Sequence, residues 1–239
     1  MNILLRSIAL VSSLLITAIT PACVSSTIGI TNVPSEAGGA TDPRRATPDA
    51  ALAALKAGNQ RFLSGRQRSK YDEIERVAAT AAHQYPIACV FACSDSRTPP
   101  EAIFDLGIGE VFVCRVAGVA SGVNDEASME YGTAVLGAPL IVVMGHKSCG
   151  AMKAAIANKP LPGALPKLVA QIRPAVKRAE SRNPNADAAT LLAAATRQQV
   201  QAEIDLLMKS PVIRKQVSAG KLKVVGAIYS IKDGTVSWL

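Results

Sequence analysis

The chain has 239 residues, about half of them apolar, with few aromatics and a formal charge of +8. That length bounds the architecture at one generous domain or at most two, and the apolar share supports a packed core. The basic residues form no block interleaved with aromatics, which argues against a nucleic-acid surface; scattered Lys and Arg on helices mark solvated faces.

Residues 1–22 carry the pattern of a secretory signal peptide. Arg6 is their only charge, an apolar run from Ile8 to Ile19 follows, and Thr20-Pro21-Ala22 precede Cys23. The run is shorter than the roughly 20 apolar residues of a spanning helix. Cys23 is a candidate for lipidation as the first residue of a mature bacterial lipoprotein, which would tether the chain to a membrane. Thr20 and Pro21 match that signal poorly, so plain cleavage after Ala22 is the alternative. Either route implies an exported protein of the periplasm or cell envelope. Residues 23–46 are rich in Ser, Thr, Gly and Pro without apolar period and read as a flexible linker. The folded domain is then 47–239.

Thr47-Pro48-Asp49 has the form of a helix start, with Pro at the first helical position, and Leu52, Leu55 and Phe62 give that helix one apolar face. A second helix is predicted over Tyr71 to His83. Pro86 to Ala92 is a continuous apolar run, as in a parallel strand covered on both faces, and Cys93 stands at its C-terminal end. A second strand is predicted at Glu110 to Val116, a helix at Asn124 to Leu136, and a third buried strand at Pro139 to Met144. That strand leads into Gly145-His146. Cys149 opens the next helix, where Gly150 allows close approach of the backbone.

Leu165 to Lys209 reads as two helices broken near Asn183-Pro184. A last helix at Pro211 to Ala219 stops at Gly220. Strands at Lys223 to Ile231 and Thr235 to Leu239 join through Asp233-Gly234. The pattern describes an α/β fold, a central and mainly parallel sheet flanked by helices, with no internal repeat.

The chemistry concentrates in two short stretches, Cys93-Ser94-Asp95-Ser96-Arg97 and His146-Lys147-Ser148-Cys149. Two thiolates and an imidazole are good zinc ligands, and three protein ligands leave a fourth position open, as in a catalytic site. Asp95 is the residue to orient a zinc-held hydroxide by accepting its hydrogen bond, and Arg97 can hold the Asp95 carboxylate in a bidentate pair. Both stretches fall at C-terminal strand ends, where sites form in open α/β sheets. The competing reading for Cys93 and Cys149 in an exported chain is a disulfide; the neighbouring Asp95, Arg97 and His146 favour the metal. Cys89 and Cys114 read as small buried residues, with a bridge as the alternative. His83 reads as an exposed helix-end residue.

These paired motifs resemble those of the β-class carbonic anhydrases, which carry Cys-x-Asp-x-Arg after the first strand and His-x-x-Cys after a later one. Gln84-Tyr85-Pro86 resembles the Gln-x-Pro of the plant-type subgroup, which implies that Gln84 donates a hydrogen bond to substrate. Ser128-Met129-Glu130-Tyr131 is similar to the helix that lends a tyrosine to the neighbouring subunit's pocket; a core aromatic is the alternative for Tyr131. Gly150 follows the last ligand as in the family, completing a substrate-binding set of Gln84, Tyr131 and Gly150. One departure is Arg115-Val116-Ala117-Gly118, where the family usually has Arg-Asn-Ala-Gly.

The resemblance implies one zinc per chain and reversible hydration of carbon dioxide to bicarbonate and a proton by attack of zinc-held hydroxide. It also implies a homodimer or higher homo-oligomer with the N-terminal helices packed on the partner. A carbonyl sulfide or carbon disulfide hydrolase keeps the same motifs, and a zinc-binding scaffold without activity is the non-enzymatic alternative.

Overall fold

The computed structural model describes residues 39–68 and 74–239. The predicted signal peptide, the Cys23 tether and linker residues 23–38 lie outside them. The sheet has strands β1 (Ala88–Ala92), β2 (Val111–Arg115), β3 (Leu140–His146), β4 (Lys223–Tyr229) and β5 (Val236–Trp238), in the order β2-β1-β3-β4-β5. The first four run parallel, and β5 closes one edge antiparallel to β4.

β1 and β3 are buried along their whole length, which is why both read as unbroken apolar runs. Alternation along each strand sends side chains to opposite faces. Cys89, Phe91, Ile141 and Val143 enter one apolar cluster, and Val90, Ala92, Val142 and Met144 enter the other.

Eight helices surround the sheet among the described residues: α1 (Pro48–Leu63), α2 (Ile74–Thr80), α3 (Pro100–Ile103), α4 (Val123–Ala134), α5 (Gly150–Ala157), α6 (Leu165–Arg182), α7 (Ala188–Leu207) and α8 (Pro211–Ser218). The Thr47 hydroxyl caps α1 by accepting from the Ala50 N–H at 3.0 Å. α1 then sends Ala51 and Leu55 into the cluster with Val90 and Met144. α6 and α7 cover the opposite face, where Ile172, Val176, Ala195 and Val200 are fully buried. Their break falls at Asn183, as expected, and α7 restarts on Asp187, whose carboxylate accepts from the Thr190 N–H at 2.7 Å.

Several boundaries differ from the sequence reading, three of them with a clear cause. The predicted linker ends too late: Asp42 is buried, Pro43–Arg45 form a 3-10 turn, and Arg44 pairs with Glu110 at 2.5 Å. Arg45 donates to the carbonyls of Pro86 and Leu136. Long-range pairing thus orders a segment whose composition alone reads as linker. The helix predicted over Tyr71 to His83 ends at Thr80, whose hydroxyl bonds back to the Arg76 carbonyl; residues 71–73 lie outside the described residues. β3 runs on past Met144, because Gly145 and His146 still pair with Ile228 and Tyr229 of β4. α3 is absent from the sequence reading; a single turn that starts at Pro100 has no apolar period to reveal it. No helix among the described residues is long and apolar enough to cross a membrane.

Candidate metal centre

Parallel pairing brings the ends of β1 and β3 side by side, with Ala92 in register with Met144. Cys93 follows β1, His146 is the last residue of β3, and Cys149 is the N-cap of α5. Their candidate ligand atoms lie within 4.8 Å of one another, and all three residues are buried. The His146 Nδ1 lies 3.0 Å from the Lys147 carbonyl, so Nδ1 is the donor there and in the neutral ring Nε2 keeps the lone pair. Among the described residues that buried Nε2 meets no hydrogen-bond partner. A buried acceptor left unmatched beside two thiols fits a metal ion, and a donor set of two sulfurs and one imidazole nitrogen suits zinc.

The two thiols of the set are shifted in opposite directions by their closeness. The Cys93 thiol is pulled below its usual range, first by Cys149 beside it; burial opposes this, and His146 and the Gly118 N–H reinforce it. Cys149 is pushed up, first by Cys93 beside it and then by burial, although the Ala151 and Met152 amides at the start of α5 oppose the rise.

Asp95 stands beside the donor set. Its Oδ1 accepts from the Arg97 Nε at 2.9 Å and the Arg97 backbone N–H at 3.0 Å, and its Oδ2 accepts from the Arg97 guanidinium at 2.7 Å. Arg97 holds the carboxyl well below the usual carboxylate range, against a smaller effect of burial. The pair lies at the surface side, with the Arg97 side chain 58% exposed, so its worth lies in orientation more than stability.

Supporting residues that the sequence reading did not assign lie just behind. Arg115, at the end of β2, donates through Nε to the Cys93 carbonyl at 2.8 Å and through its guanidinium to the Asp95 carbonyl. The buried Thr98 hydroxyl lies 3.1 Å from the Cys93 carbonyl and 2.9 Å from the Asp95 carbonyl. Together they fix the loop that carries both a ligand and the carboxylate. Val116, the departure from the family motif, packs against the apolar cluster that contains Cys93 and Cys149.

The structure does not bring the other predicted residues to this centre within one chain. Gln84 and Tyr131 line a separate open cleft with Thr80, His83, Tyr85 and Val135, and none of the three donors borders it. Tyr131 is 46% exposed, which removes the core-aromatic alternative. His83 is exposed, as expected. Gly150 corrects the expectation of close backbone approach: a Cβ built there meets nothing within 4 Å. Cys89 and Cys114 are unbridged; burial pushes the Cys89 thiol up to about 12, and burial with the nearby Asp125 does the same for Cys114.

Comparison with known proteins agrees with this geometry. The family model described as "Carbonic anhydrase" matches residues 88–236. Carbonic anhydrase 2 of Mycobacterium tuberculosis is 38% identical over 192 residues, which span 78% of this chain and 90% of that protein. Among solved structures, the Coccomyxa β-carbonic anhydrase in complex with acetazolamide is 25% identical with a TM-score of 0.65, covering 79% of this chain and 86% of its own. One of two tetrameric β-carbonic anhydrases from Sordaria macrospora is 26% identical with a TM-score of 0.64, covering 80% and 97%. The chain belongs to the carbonic anhydrase family, in its β class.

Proposed function

We propose that the protein is a zinc-dependent carbonic anhydrase that interconverts carbon dioxide and bicarbonate. The observation that carries this is the donor set Cys93, His146 and Cys149, whose free Nε2 stands beside an Asp95 carboxylate that Arg97 turns to its own guanidinium. Cys93, Cys149 and His146 Nε2 would hold one zinc per chain. The ion, when bound, supplies a Lewis acid that makes hydroxide available near neutral pH.

The remaining work falls to this chain's own residues. Asp95, ionised at working pH, accepts a hydrogen bond from the attacking oxygen and aims its lone pair at the carbon of carbon dioxide. Arg97 keeps that carboxylate from swinging onto the donors. Arg115 and Thr98 fix the loop from which Asp95 projects.

Gln84 and Tyr131 are proposed as substrate-contacting groups supplied by a second copy, because in one chain they border a cleft apart from the donors. The solved relative described as tetrameric supports a homo-oligomer of two or more copies. Gly150 leaves open space at the start of α5 for substrate or a partner's side chain. The sequence signal at residues 1–22 supports export to the periplasm or cell envelope, with Cys23 as a lipid tether.

The test is carbon dioxide hydration by the purified mature chain and by Asp95→Ala, each with its zinc content measured. Activity in the parent, most of it lost in the variant at equal zinc, supports the reading. Equal rates in both would mean that Asp95 takes no part.

A further inference from the structure

Behind the metal centre lies a buried polar chain that the reaction itself does not use. Gln199 and Glu203 sit one turn apart on α7, both nearly inaccessible to solvent. The Gln199 Nε2 donates to the Val119 carbonyl at 3.0 Å and to the Glu203 Oε1 at 2.7 Å. The Glu203 Oε2 in turn accepts from the Ser121 hydroxyl. So α7 grips the segment after β2 at two points, Val119 and Ser121, across 80 or more residues of sequence.

That segment is held in an unfavourable shape. Val119 has φ of 55°, a left-handed conformation that a β-branched residue avoids and that persists only where its surroundings enforce it. Its neighbour Gly118 has φ of 72° and turns its N–H toward the Cys93 Sγ at 3.3 Å. A side chain on Gly118 would strike Ile172 and Ala151, so the backbone fits closely there. Gln199 also lines a small void of about 10 Å³ together with Gly118, Val119, His146 and Cys149.

We propose that Gln199, braced by Glu203 and Ser121, is a positioning residue for the Cys93 ligand: it locks Val119 so that the Gly118 N–H points at the Cys93 sulfur. This rests on the zinc reading given above and adds residues to it. The amide hydrogen bond does two things: it holds the Cys93 sulfur in place for a metal, so its loss weakens binding through lost placement, and it draws charge from the thiolate, so its loss leaves the sulfur easier to oxidise. Such outer partners typically change metal affinity by about 10–100-fold when removed. Glu203 and Gln199 are needed as a pair because a buried amide and carboxyl left half-satisfied would weaken the grip they supply.

The test compares the parent with Gln199→Leu, Ser121→Ala and, as control, Thr196→Val. Thr196 lies on the same helix, but among the described residues its hydroxyl bonds within α7, to the Leu192 carbonyl at 2.8 Å. The readouts are zinc retention against a chromophoric chelator and the sulfur-to-cobalt charge-transfer band of the cobalt-substituted protein. Folding is checked by circular dichroism.

Gln199→Leu should hold zinc about 10-fold less tightly or weaker. Its charge-transfer band should move to lower energy, because a thiolate without the amide bond gives up an electron more readily. Ser121→Ala should change both in the same direction by less, and Thr196→Val should change neither. Unmoved band and retention in a folded Gln199→Leu would overturn the proposal, and so would an equal shift in Thr196→Val. Should Gln199→Leu fail to fold, Ser121→Ala decides, and parent-like values there overturn it. A parent that takes up neither metal would instead defeat the zinc reading itself.

Discussion

Asp95 Oδ2 lies 3.9 Å from His146 Nε2, while both oxygens of the same carboxylate accept hydrogen bonds from Arg97. The carboxylate is near enough to compete for a metal and is held off by its neighbour. Arg97→Ala leaves Asp95 only the backbone N–H at position 97. The expected outcome is a fall in kcat/KM on the order of ten-fold or more with zinc content unchanged, as when an orienting partner is lost. Arg97→Lys should recover only part of it, since a point charge cannot make the bidentate pair. Steady-state hydration rates across the three proteins check this.

The placement of Gln84 and Tyr131 on a cleft away from the donors makes complementation between chains the natural test. Chains carrying Gln84→Ala keep their donors, and chains carrying Cys93→Ser keep their Gln84. Mixed dimers should regain activity that neither parent variant shows at the same total concentration, because one intact site forms per mixed pair. Mixing without recovery would place the action of Gln84 within its own chain.

Two glycines near the centre should behave in opposite ways. Gly118 has φ of 72°, and an added Cβ would lie 2.5 Å from Ile172 Cδ1. Gly118→Ala should therefore destabilise the fold by roughly 1–3 kcal/mol. Gly150→Ala meets no atom and should leave stability within about 0.5 kcal/mol, as an open substitution does. Urea denaturation of both variants reads the difference.

Glu203 gives the fold a pH dependence of known sign. Burial raises its carboxyl above the ordinary range; the Ser121 bonds oppose this, and Glu126 and Asp125 add to the rise. The folded protein thus binds this proton more tightly than the unfolded chain, whose glutamates titrate near about 4.3. Its stabilising contribution is complete below that value and is lost as pH rises through the folded pKa. Glu203→Gln should therefore gain stability relative to the parent as pH increases from about 4, then level off. Unfolding midpoints that run parallel for the two proteins would contradict this.

The sequence made the metal centre legible because its residues lie close along the chain: Cys93, Asp95 and Arg97 in one stretch, His146 and Cys149 in another. The unbroken apolar runs before them revealed β1 and β3, and so placed both stretches at strand ends. What escaped was held together across long separations. Gln199 and Glu203 look in sequence like ordinary polar positions on a helix, and only the packing of α7 against the segment after β2 gives them partners. Arg115 and Thr98 were invisible for the same reason, since a backbone carbonyl as acceptor leaves no mark in the sequence. The Asp42–Arg45 segment reads as linker until Glu110 supplies the charge it docks on.

The most direct test of the central claim is a zinc titration of metal-free protein under reducing conditions, followed by stopped-flow carbon dioxide hydration at each step. Activity should rise in proportion to bound zinc and stop rising at one ion per chain, with Cys149→Ser failing to follow. Full zinc loading at Cys93, His146 and Cys149 without hydration of carbon dioxide would contradict the account.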